Sequence, residues 1–128
     1  MGYESKLMVV NPYRHIPTSI EGKTYVGTVA TIDLCKMPYD FHRLVRDHWH
    51  DGDYYFYDGC DQKWDTDLYG DPLVATDLDT AIADLKAIDQ QIVERDGERY
   101  RRIPPAIALL EGFDQSQWDE LLVIHFGH

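Results

Sequence analysis

Residues 77–95 constrain the fold more than any other segment. Leu78, Ile82, Leu85, Ile88 and Ile92 recur at spacings of three and four, which draws one apolar stripe along a helix. Burying five such side chains contributes on the order of 10 kcal/mol before chain entropy, so the stripe has to lie on an apolar layer. Thr76 and Asp79 stand three apart like a capping box with Asp in place of Glu, and Gly97 suits the exit.

The layer under that helix is read from the alternating segments. Residues 5–10 form a strand that Asn11-Pro12 stops, and residues 11–22 form a polar loop. In 23–35, Val26, Ala30, Ile32 and Leu34 share one face, with Thr28 between them. Tyr25, Gly27, Thr31 and Asp33 take the other, as in an antiparallel sheet with one covered face. Asp40 caps a short helix over 41–50, with Phe41, Leu44, Val45 and His48 or Trp49 on one side, and Gly52 ends it. Tyr54-Tyr55-Phe56-Tyr57 is an aromatic strand, and Asp58–Pro72 a loop. Pro105 opens a second apolar helix over 105–113, and 121–126 closes the chain as a largely buried strand. A chain of 128 residues, 44% hydrophobic, holds one domain. The expected fold class is α+β: an antiparallel sheet of about four strands with two or three helices packed on one face.

Charge narrows the partners. Twenty-three acids against twelve bases leave −11. Residues 40–79 hold eleven acids, all Asp, against Arg43, Arg46 and Lys63, a balance of −8. The remaining residues hold twelve acids and nine bases. A concentrated negative field repels nucleic-acid backbones and anionic membranes and steers towards basic protein surfaces. Asp pins its carboxylate near the backbone, and Trp64 and Tyr69 add aromatic contact area of the kind that dominates interface hot spots. The expected partner-binding residues are Asp51, Asp53, Asp58, Asp61, Trp64, Asp65, Asp67, Tyr69 and Asp71.

Other chemistries find weaker support. His42, His48, His50, Asp51 and Asp53 include metal-ligand types, which keeps a metal-dependent enzyme using His48, His50, Asp51 and Asp53 as an alternative. However, the two-residue spacing of His48 and His50 makes them diverge on a helix. Asp65-Thr66-Asp67-Leu68-Tyr69-Gly70 opens like a calcium loop, but Thr76 stands where the bidentate Glu belongs. Nucleophile-elbow and phosphate-loop motifs are absent, so no catalytic residue, metal or cofactor is expected. Cys35 reads as a buried filler and Cys60 as a loop thiol, with no C-x-x-C pair. Arg95, Arg99, Arg101 and Arg102 read as internal partners for acids, or as contacts to a second copy in a homodimer. With no signal-like or membrane-length apolar run, the expected location is cytosolic.

Four pieces of the chain, in order, resemble a family of small phage-encoded accessory proteins. They are Met1-Gly2-Tyr3-Glu4-Ser5-Lys6-Leu7, Leu68-Tyr69-Gly70-Asp71-Pro72-Leu73, Tyr100-Arg101-Arg102-Ile103-Pro104-Pro105 with Leu109-Leu110-Glu111-Gly112-Phe113, and His125-Phe126-Gly127-His128. The resemblance implies action in the cytoplasm of an infected host. Small acidic phage proteins often block host nucleic-acid-handling or defence machinery by mimicking nucleic acid. A virion or assembly role as a homo-oligomer is the remaining alternative.

Overall fold

A computed structural model describes residues 4–37, 41–57 and 62–128. Among these residues seven strands and three α-helices follow one another. They are β1 (Ser5–Pro12), β2 (Thr24–Cys35), α1 (Phe41–His48), β3 (His50–Asp51), β4 (Tyr54–Tyr57), β5 (Lys63–Trp64), β6 (Val74–Asp77), α2 (Leu78–Asp96), α3 (Ile103–Glu111) and β7 (Leu122–Gly127). The strands form one sheet in the order β3-β6-β7-β1-β2-β4-β5.

The α+β class and the helices over 41–50, 77–95 and 105–113 hold, within a few residues. The sheet corrects the expectation twice. It has seven strands rather than about four, and β2 runs parallel to β4 through Thr24–Tyr54 and Tyr25–Tyr55, so the sheet is mixed. Residues 58–72 include β5, and β6 precedes α2. α2 starts one residue later than expected and its cap is Asp77: the carboxylate accepts from the Thr80 N–H at 2.6 Å, while Thr76 is buried in β6. Gly97 closes the helix at φ 73°, in the left-handed region.

All three helices cover one side. Phe41, Val45, Leu85, Ile88, Ile103 and Leu110 pack on Leu7, Val9, Ile32, Leu34 and Val123. The opposite side is also a core, built from Met8, Val10, Val26, Leu73, Ala75, Leu122, Ile124 and Phe126. This explains why β1 and β7 read as continuous apolar runs rather than alternating ones: both faces are buried. It also corrects Val26. The β1–β2 register slips between Val9 (opposite Ala30) and Val10 (opposite Thr28), leaving Val29 as an extra residue. One extra residue reverses side-chain parity, so Val26 joins the second core while Ile32 and Leu34 face the helices.

The second core is enclosed because the sheet curls until its ends meet. His50 and Asp51 pair with β6, the Gly52 N–H donates to the Leu73 carbonyl, the Asp53 carbonyl accepts from the Thr24 N–H, and Tyr54 and Tyr55 pair with β2. Residues 50–55 thus form one bent rail joining β6 to β2. A side chain at Gly52 would overlap the Leu73 carbonyl oxygen and the Tyr54 ring. Gly52 is therefore part of this seam rather than the stop of α1, which ends at His48, before β3.

Cys35 is half-buried with φ 54°, rather than a buried filler; Cys60 lies outside the described residues. The arginines mostly serve the chain itself. Arg99 pairs with Asp89 at 3.2 Å, Arg95 lies 4.0 Å from Asp96, and Arg102 donates to the Asp33 carbonyl. No described helix is long and apolar enough to cross a membrane.

The capping carboxylate of Asp77 carries a pH prediction. The Thr80 N–H holds its pKa below the usual carboxylate value. A depressed folded pKa contributes stability that is present above the unfolded value, near 4, and is lost as pH falls through the folded one. Asp77→Ala is expected to cost about 1 kcal/mol at neutral pH. Denaturant titrations across acid pH should show that difference shrinking below pH ~4.

Candidate binding surface

Two cavities open onto the second core. The larger, about 630 Å³, lies beside the seam and is lined by Arg14, Thr24, His50, Asp53, Asp77 and Glu120, with Ala75 and Leu122 at its apolar end. The smaller, about 370 Å³, is lined by Met8, Phe56, Trp64 and Phe126, with Thr28 and Thr31 from β2.

The polar cleft is organised around one guanidinium. Arg14 donates to both Glu120 oxygens, at 2.6 and 2.9 Å, and to the Tyr54 hydroxyl at 3.0 Å, lying 5.7 Å from the Tyr54 ring centre. The Glu120 carboxylate raises the Arg14 pKa further above its ordinary value, and Arg14 lowers that of Glu120. Both side chains are well exposed, so the fork orients the cleft wall more than it stabilises the fold. Opposite it, His50 faces Ala75 across the β3–β6 ladder. Asp53 and Asp77 lie in the cleft, while Asp47 sits near the end of α1 and Asp79 in the first turn of α2. Asp47, Asp53 and Asp79 are exposed, and among the described residues none pairs with a lysine or arginine of the chain.

Those of the nine expected residues whose side chains are described do not form one face. Asp53 is exposed at the cleft, and Asp51 contributes its backbone to β3. Asp58 and Asp61 lie outside the described residues. Trp64 is half-buried, edge-on to Phe126, as part of the second core. Asp65 pairs with Lys23 at 3.3 Å. Tyr69 is exposed and its hydroxyl donates to the His128 carbonyl. Asp71 is half-buried, and its backbone brackets Asp67.

Asp67 is the clear correction. It is 5% exposed, and its carboxylate accepts from the Tyr69 and Asp71 N–H groups at 2.8 and 3.1 Å. It is buried and holds the turn before β6. Asp67→Ala is expected to cost roughly 1.5 kcal/mol by stranding those amides, whereas Asp53→Ala should stay within about 0.5 kcal/mol. Chemical denaturation of the two variants compares them directly.

Arg14, Tyr54 and Glu120 escaped sequence reading as site residues. Arg14 and Glu120 stand 106 positions apart, and no local pattern marks either. His50 borders the cleft and His48 is exposed on α1; among the described residues no group of three or more His, Cys, Asp or Glu side chains is placed to hold a metal ion. No family model, curated protein or solved structure matches the chain.

Proposed function

We propose that this protein is a non-enzymatic binding protein whose acidic surface occupies a basic surface of another protein. The observation that supports this most is the set of exposed aspartates Asp47, Asp53 and Asp79, of which Asp53 lines the polar cleft, left without compensation by lysine or arginine among the described residues. A chain at −11 with such a cluster gains Coulomb energy from a cationic partner and loses it against nucleic acid. In keeping with the phage resemblance, the partner would be a host nucleic-acid-handling or defence protein in the host cytoplasm, its groove filled by carboxylates in place of phosphates. Of the residues expected from the sequence between Asp51 and Asp71, the proposed surface keeps Asp53 and adds Asp47 and Asp79.

Affinity purification from bacterial lysate tests the reading. Basic nucleic-acid-handling proteins should be retained at low salt and released at high salt. Retention that is indifferent to salt, or a retained set that is not basic, would contradict it.

A further inference from the structure

β1 alternates between the two cores: Leu7 and Val9 face the helices, whereas Met8 and Val10 face the second core. Alternation puts Lys6 on the side of Met8, and its ammonium lies 5.6 Å from the centre of the Phe126 ring in that same core. Half-buried there, Lys6 pairs with no carboxylate among the described residues. It borders the 370 Å³ cavity, in which Phe56 and Trp64 stand edge-on to Phe126. Thr28, opposite Val10, and Thr31, opposite Met8, share this side of the sheet and also border the cavity. Both are exposed, and neither hydroxyl has a hydrogen-bond partner among the described residues. An aromatic body with a few polar donors at its border is the usual build of a small-molecule site.

The charged groups at this cavity select the sign of the ligand. Lys6 lines it, and Lys63 pairs with Tyr57, another lining residue. Asp33 stands opposite Lys6 in the β1–β2 ladder, but its carboxylate accepts from the Cys35 N–H and lies 3.9 Å from the His128 ring, and Arg102 donates to its backbone carbonyl. The Asp67 carboxylate, beside Leu68, is taken up by the Tyr69 and Asp71 N–H groups.

We propose that this cavity binds a small aromatic carboxylic acid, its carboxylate meeting the Lys6 ammonium and the Thr28 and Thr31 hydroxyls and its ring packing among Phe56, Trp64 and Phe126. A carboxylate accepts from all three donors, and its bond to the ammonium is charge-assisted. The chain's −11 restricts the ligand to a single negative charge. Repulsion by distant carboxylates is screened beyond ~10 Å at about 0.1 M salt, but it accumulates on a polyanion. The inference is independent of the binding function proposed above, because the two cavities share no lining residue.

The probes are 3-phenylpropanoate, 3-phenylpropanamide and 3-phenylpropylamine, which carry one body with an anionic, a neutral and a cationic head. Calorimetry and NMR on the intact protein should show the acid binding at least ~10-fold more tightly than the amide, and the amine most weakly. The Met8 methyl and the Trp64 indole signals should shift as the acid binds, since both side chains line the cavity. Lys6→Met keeps an apolar stem beside Phe126 and removes the ammonium, so it should bring the acid down to the affinity of the amide and leave the amide unchanged. If that variant fails to fold, the order of the three probes on the wild-type protein still decides. Equal affinity for acid and amide, a preference for the amine, or no binding by any of the three at millimolar concentration would overturn the proposal. Signal shifts confined to Ala75 and Leu122 of the polar cleft would overturn it as well.

Discussion

Gly52→Ala is expected to destabilise the protein by about 3–5 kcal/mol, the range reserved for strain or lost packing at over-determined positions. The cause is position rather than backbone conformation. Gly52 donates to the Leu73 carbonyl where the curled sheet closes, and an added methyl would overlap that carbonyl oxygen and the Tyr54 ring. Relief requires moving residues 50–55 away from β6 or β2, which opens the second core of Met8, Val26, Ile124 and Phe126 to water. Gly70 is the control. It takes φ 82° with open space around it, so alanine there is expected to cost only about 1 kcal/mol of left-handed strain. Denaturant midpoints for the two variants should differ widely. Similar midpoints would mean that the sheet does not close at Gly52.

Neutralising the aspartates of the cleft and of the adjoining helix ends should have the largest functional effect. Asn at Asp47, Asp53, Asp77 and Asp79 removes four charges, and Asn at position 77 still accepts the Thr80 N–H as a cap. Coupling of exposed charges across an interface is modest per pair. Four together should nonetheless weaken oligo-arginine binding roughly 100-fold at low salt. Stability should stay within about 1 kcal/mol of wild type, because three of the four carboxylates make no described contact that the fold needs. The opposite pattern, unchanged binding with a large loss of stability, would mean that these residues serve the fold.

The helices and long strands were legible because each carries its own period. The stripe from Leu78 to Ile92 and the terminal signals at Gly97 and Pro105 need no distant information. The sheet's closure was not legible. β3 has two residues and β6 four, and each exists because of what it pairs with, not because of its own pattern. The extra residue at Val29 is equally silent in sequence, yet it sends Val26 and Ile32 to opposite cores. Charge behaved the same way. The −8 of residues 40–79 was visible, but not which carboxylates would turn inward: Asp67 holds a turn and Asp65 meets Lys23, while Asp53 stays at the surface. Arg14 and Glu120 meet only in the folded chain.

Binding of an oligo-arginine peptide to the wild-type protein, followed across ionic strength, tests the central claim most directly. Electrostatic capture by the carboxylates of the cleft and of the adjoining helix ends predicts that affinity falls at least ~10-fold between about 50 and about 200 mM salt, while a matched oligo-glutamate peptide does not bind. An affinity for oligo-arginine that is flat across that range, or a preference for the anionic peptide, would contradict it.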